Sequence, residues 1–184
     1  MSKVALIIGH SRKSQGATNR TYGTSEFQFN EPLAYSVAEK LIIEGHEPRI
    51  IYRDCTYAEL PAMVNSTKAD IAVSFHCNAF NSKSNGSETL YYKSSSRGHL
   101  LASCIQEEVV KCLELRDRGI KACVASHQGK AGDRGGLLLK RTAMTCVIVE
   151  PFFIDSDISL ELANIKFEGL AEAYTAGIVK YLRR

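Results

Sequence analysis

Three residues able to hold a metal ion or move a proton each close a short apolar run. Val4-Ala5-Leu6-Ile7-Ile8-Gly9 runs into His10, Ile71-Ala72-Val73-Ser74-Phe75 into His76, and Cys146-Val147-Ile148-Val149 into Glu150. Neutral imidazole is a common metal ligand, and catalytic zinc keeps three protein ligands with one position open to water or substrate. A carboxylate beside such a site can take and return the proton that hydrolysis requires. Two imidazoles and a carboxylate are therefore the makings of a zinc site with an acid/base group, provided the fold brings them together.

The runs themselves meet that condition. Short, Val/Ile-rich and flat in polarity, they read as strands of a parallel sheet covered on both faces. Parallel strands share one carboxyl edge, where open α/β sheets bind their ligands. Between the runs, strand and helix patterns alternate. A helix is expected from about Glu31 to Glu44, with Pro32 in its first turn and Leu33, Val37 and Leu41 as its buried stripe. A strand is expected at Pro48–Tyr52, a helix at Tyr57–Lys68, a strand at Glu88–Tyr92, a helix from about Gly98 to Leu115 and a last one from about Ala163 to Leu182. The expected fold is α/β: one domain over residues 1–184, a mostly parallel twisted sheet of about six strands with helices on both faces.

A third ligand is needed, and Glu26 and Glu31 both lie near the start of the first helix. Counting back from Leu33, the sheet-facing positions are Phe29 and, one turn further, Glu26, whereas Glu31 falls on the flank with Tyr35. Glu26 is the preferred ligand and Glu31 the reserve. Glu150 ends so apolar a strand that burial would raise its pKa and a nearby cation lower it again, a balance that suits the acid/base role. Asn78 is placed to fix an imidazole or a substrate amide, and Glu88 to brace a ligating imidazole or to sit as a charge at the sheet edge. His127 begins, and Arg134 lies within, a glycine-rich loop able to line a substrate groove; its spacing is not that of a phosphate-binding loop. Cys77 alternates away from His76 and is not expected to coordinate.

Composition narrows the classes. A hydrophobic content of 45% and charged content of 23% are ordinary for a globular chain of 184 residues. A net charge of +3, evenly spread, does not argue for nucleic-acid binding. No apolar stretch approaches the roughly 20 residues of a membrane span. Six cysteines without a CxxC pair fit a reducing compartment. No secretory h-region follows Met1-Ser2-Lys3, so the expectation is synthesis in the cytoplasm without a signal peptide, release by a holin or a secretion machine, and a monomer.

These residues resemble the zinc-dependent N-acetylmuramoyl-L-alanine amidases of bacterial autolysins and phage endolysins, as a catalytic domain alone. The resemblance runs through Gly9-His10-Ser11, Glu26 with Asn30, Ser74-Phe75-His76-Cys77-Asn78, Gly86-Ser87-Glu88-Thr89, Arg118-Gly119-Ile120-Lys121 and Val149-Glu150. Ser11 departs from it, standing where glycine is commoner. The resemblance implies zinc held by His10, Glu26 and His76, with Glu150 as the catalytic residue. It also implies peptidoglycan as partner and hydrolysis of the amide between N-acetylmuramic acid and the L-alanine of the stem peptide. Two other readings use the same residues. One is a zinc carboxypeptidase that grips a stem-peptide carboxylate through Arg134; the other is a peptidoglycan-binding domain without turnover.

Overall fold

A computed structural model describes residues 1–125, 133 and 135–184. Six strands form one sheet: β1 (Lys3–Ile8), β4 (Glu47–Ile51), β5 (Ile71–Phe75), β6 (Ser87–Tyr92), β7 (Asp117–Cys123) and β8 (Thr145–Glu150), in the order β4-β1-β5-β8-β6-β7. β4, β1, β5 and β8 are mutually parallel. β6 runs antiparallel to β8 and parallel to β7, so the sheet is mostly parallel, as expected. A short ribbon, β2 (Thr18–Asn19) and β3 (Thr24–Ser25), sits in the loop after β1.

The two-residue period of a strand sends alternate side chains to opposite faces. Val4, Leu6 and Ile8, with Val73, Phe75, Val147 and Val149, enter one core beneath α1 (Glu26–Ile43), α3 (Ser96–Leu113), α5 (Asp157–Ile165) and α6 (Phe167–Leu182). Ala5, Ile7, Ala72, Cys146 and Ile148 enter a thinner one beneath α2 (Leu60–Ser66) and α4 (Gly136–Arg141). No helix among the described residues is long and apolar enough to cross a membrane.

Several boundaries differ from the sequence reading. α1 begins at Glu26 rather than Glu31, because Ser25 caps it: its hydroxyl accepts from the Gln28 amide at 3.2 Å. Pro32 thus lies inside the helix, where it removes the bond to the Gln28 carbonyl, rather than in the first turn. The single C-terminal helix is two, broken at Lys166, whose ammonium reaches across to the Cys112 carbonyl at the end of α3. β7 and α4 were not expected at all. β7 is a half-buried edge strand with neither a continuous apolar run nor clean alternation.

Candidate metal centre

The ladder hydrogen bonds continue past the strand ends to the rim residues. The Gly9 amide donates to the Phe75 carbonyl and the His76 amide to the Val149 carbonyl, both at 3.0 Å. His76 therefore stands beside Glu150, and His10 follows one strand over. Glu26, the first residue of α1, points its carboxylate at both imidazoles. Its Oε2 lies 3.4 Å from His10 Nε2 and 3.3 Å from His76 Nδ1. One nitrogen or oxygen from each of the three residues falls within 4.8 Å of the others.

Those spacings fit a small tetrahedral ion. Metal–ligand bonds of about 2.0–2.1 Å place tetrahedral ligands roughly 3.3 Å apart, close to both edges that run from Glu26 Oε2. Two imidazoles and one carboxylate are also the donor set of a catalytic zinc rather than of calcium or magnesium.

Glu26 is 5% exposed, so its position needs support. The Ala17 amide donates to Oε1 at 2.8 Å and the Cys77 amide to Oε2 at 3.0 Å. The Glu26 amide returns a bond to the Ala17 carbonyl at 3.0 Å, tying the loop before β2 to the start of α1. Burial pushes the carboxyl up, but the hydrogen bonds from His10 and then His76 outweigh it and hold the group well below the usual carboxylate range. The charged form, which coordination needs, is the one the site selects.

Two glycines make room for the rings. A Cβ on Gly9 would lie 2.1 Å from His76 Nε2. Gly16, at φ +80°, brings its backbone so close that a Cβ would meet His10 Cδ2 at 2.6 Å and Glu26 Oε1 at 2.8 Å. Gly16 and the amides of Ala17 and Cys77 were not singled out from the sequence. The sequence offers only a glycine inside the polar stretch Ser11–Ser25, and its positive φ emerges from the structure.

The remaining candidates divide. Glu31 is not part of the cluster: it accepts from Tyr52 Oη at 2.8 Å and pairs with Arg12 at 2.9 Å. Glu88 is buried and pairs with Arg118 Nε at 2.8 Å, while Asn78 Nδ2 donates to its other oxygen at 3.0 Å. The Arg118 guanidinium lies over the Phe153 ring, 5.0 Å from its centroid. Glu88 and Glu150 are register partners on β6 and β8, so the Asn78–Glu88–Arg118 chain braces the rim next to Glu150. Cys77 is buried in the core with its thiol against the Asn30 amide, and it is not part of the His10–Glu26–His76 cluster. His127 and Arg134 lie outside the described residues.

A doubly covered sheet with a His–Glu–His cluster on its carboxyl rim and a further glutamate one strand away defines a class, the α/β proteins with a hydrolase-like metal site. Within that class the chain belongs to the N-acetylmuramoyl-L-alanine amidase family, whose profile matches residues 4–180. It is 32% identical to the N-acetylmuramoyl-L-alanine amidase LytC of Bacillus subtilis over 95% of this chain, and spans 34% of that relative's length. Among solved structures, the catalytic domain of the CD27L endolysin, targeting Clostridia difficile, superposes with a TM-score of 0.81 at 26% identity, covering 98% of each chain. The catalytic domain of the amidase CwlV from Bacillus (Paenibacillus) polymyxa superposes with a TM-score of 0.82 at 26% identity, covering 100% of this chain and 99% of that one.

Proposed function

We propose that the chain hydrolyses the amide bond between N-acetylmuramic acid and the L-alanine of the peptidoglycan stem peptide, with zinc held by His10, Glu26 and His76. The observation that carries this reading is the convergence of Glu26 on both imidazoles with Glu150 on the adjacent strand tip. When bound, zinc supplies Lewis acidity to the scissile carbonyl and to the attacking water. Glu150 accepts the water's proton and delivers it to the departing alanine nitrogen, so that one carboxyl serves both halves of the reaction. Gly9 and Gly16 keep the imidazoles in place, and the amides of Ala17 and Cys77 keep Glu26 charged and aimed. The protein acts on the cell wall, and peptidoglycan is its partner.

The test is digestion of purified peptidoglycan with and without a chelator, following new L-alanine amino termini against intact glycan. Alanine amines that vanish on chelation and return with zinc are the expected result. Release of D-amino acids instead would make the chain a carboxypeptidase, and binding without cleavage would make it a wall-recognition domain.

A further inference from the structure

One backbone amide at the rim is diverted from the sheet, and the carbonyl it leaves behind takes a side-chain donor. β1 and β5 pair in parallel, with Ile7 opposite Ser74 and Ile8 opposite Phe75. In a parallel ladder a bonded residue donates to the residue before its partner and accepts from the residue after it. The next rung therefore calls for two bonds: the Gly9 amide to the Phe75 carbonyl, and the Cys77 amide to the Gly9 carbonyl. The first is made, at 3.0 Å. The second is given up, because the Cys77 amide donates to Glu26 Oε2 at 3.0 Å.

Gly9 is buried, and a buried carbonyl without a donor costs about as much as a lost hydrogen bond. Arg53, two residues past the end of β4, fills the gap: its Nη1 donates to the Gly9 carbonyl at 3.4 Å. The bond is long, but a charged donor is roughly twice as strong as a neutral one. The side chain is also held in place. Its guanidinium lies over the Tyr57 ring, 5.5 Å from the centroid, and Tyr57 packs against the core beneath α2 and α4. The Tyr57 hydroxyl accepts from the Leu138 amide of α4 at 3.5 Å. Arg53 is half-buried, and among the described residues no carboxylate pairs with it. Its fixed contacts are thus a ring face and one carbonyl.

Resting on the zinc ligand set proposed above, we infer that Arg53 is a positioning residue of the metal centre. By satisfying the Gly9 carbonyl it releases the Cys77 amide from the β1–β5 ladder, and that amide holds the Glu26 carboxylate. Without Arg53, the Gly9 carbonyl and Glu26 compete for one N–H. The Ala17 amide would still hold Oε1. Oε2, the oxygen that faces both imidazoles, would lose its backbone donor.

The test pairs NMR scalar coupling across hydrogen bonds with a chelator-competition zinc titration. In metal-free wild type, no coupling should connect the Cys77 amide nitrogen to the Gly9 carbonyl carbon. In Arg53→Met that coupling should appear, and zinc affinity should fall roughly tenfold. Arg53→Lys keeps a charged donor; it should abolish the coupling and restore most of the affinity. Tyr57→Leu, which removes the ring beneath the guanidinium, should show a weaker form of both changes. A coupling already present in wild type, or absent from Arg53→Met, would overturn the inference. So would zinc affinity that stays unchanged in Arg53→Met, or that falls equally in Arg53→Met and Arg53→Lys. A wild type that binds no zinc would count against the ligand set instead, and the couplings, measured without metal, would still judge the exchange of donors.

Discussion

The carboxyl rim and the outer α3–α6 surface each hold a carboxylate whose pKa is depressed, and they hold it by different means. Glu107 on α3 lies between Lys111 at 2.7 Å and Lys180 at 2.8 Å, first Lys111 and then Lys180 lowering it to about 2. It is exposed, and water would solvate it if either lysine moved away. Glu26 on the rim is lowered against the pull of burial, by two imidazoles, while two backbone amides hold its oxygens. Water cannot replace those partners. A perturbed pKa alone therefore singles out nothing; burial, fixed donors and glycine clearance separate a built site from a surface ion pair.

The largest effect should follow from removing the built carboxylate. Glu26→Ala should weaken zinc binding by at least roughly 100-fold in a chelator-competition titration. It should also cost the metal-free protein about 1–3 kcal/mol in urea unfolding, because the Ala17 and Cys77 amides lose their acceptor. Glu31→Ala, which breaks only the contacts to Arg12 and Tyr52, should leave zinc affinity within about threefold. The reverse outcome would exchange the two glutamates and sink the proposed ligand set. Next comes Glu150→Gln, nearly isosteric: zinc stoichiometry should be unchanged while turnover of peptidoglycan falls roughly 10²- to 10⁴-fold. Zinc lost with turnover would make Glu150 a ligand.

How much of the rim was legible follows from the same contrast. β1, β5 and β8 are covered on both faces, so their sequences are nearly unbroken apolar runs, and the residues that end them stand out. The Leu33–Val37–Leu41 stripe, counted backwards, leads to Glu26, which is where the two imidazoles meet. What holds Glu26 was not legible, because backbone amides have no residue type to read. The break at Lys166 was hidden for a related reason: the ammonium's bond to the Cys112 carbonyl joins residues 54 positions apart. Pro32 misled because a proline near a helix start usually marks the first turn, and the Ser25 cap overrode it.

Gly9→Ala tests the clearance that the comparison assigns to the rim. The added methyl would sit 2.1 Å from the His76 ring, so the imidazole must swing away. The expected result is a roughly 10- to 100-fold loss in zinc affinity with the far-ultraviolet circular dichroism retained. An unchanged affinity would mean that His76 coordinates from another rotamer, and the glycine would then be a turn residue only.

The smallest effect belongs to Glu107→Gln, and its pH dependence carries the sign. The folded-state pKa of Glu107 lies below its ordinary 4.5, at about 2. Its contribution to stability is therefore present above pH 4.5 and fades as pH falls through about 2. Wild type and variant should differ slightly in urea midpoint at neutral pH, and that gap should shrink between pH 4.5 and 2 and close in about 1 M salt, where exposed charges are screened. Zinc affinity should not move. A gap that persisted at the acid end or in high salt would mean that the side chain acts through packing rather than charge. A change in zinc affinity would mean that the α3–α6 surface is coupled to the rim, and the separation between the two carboxylates would fail.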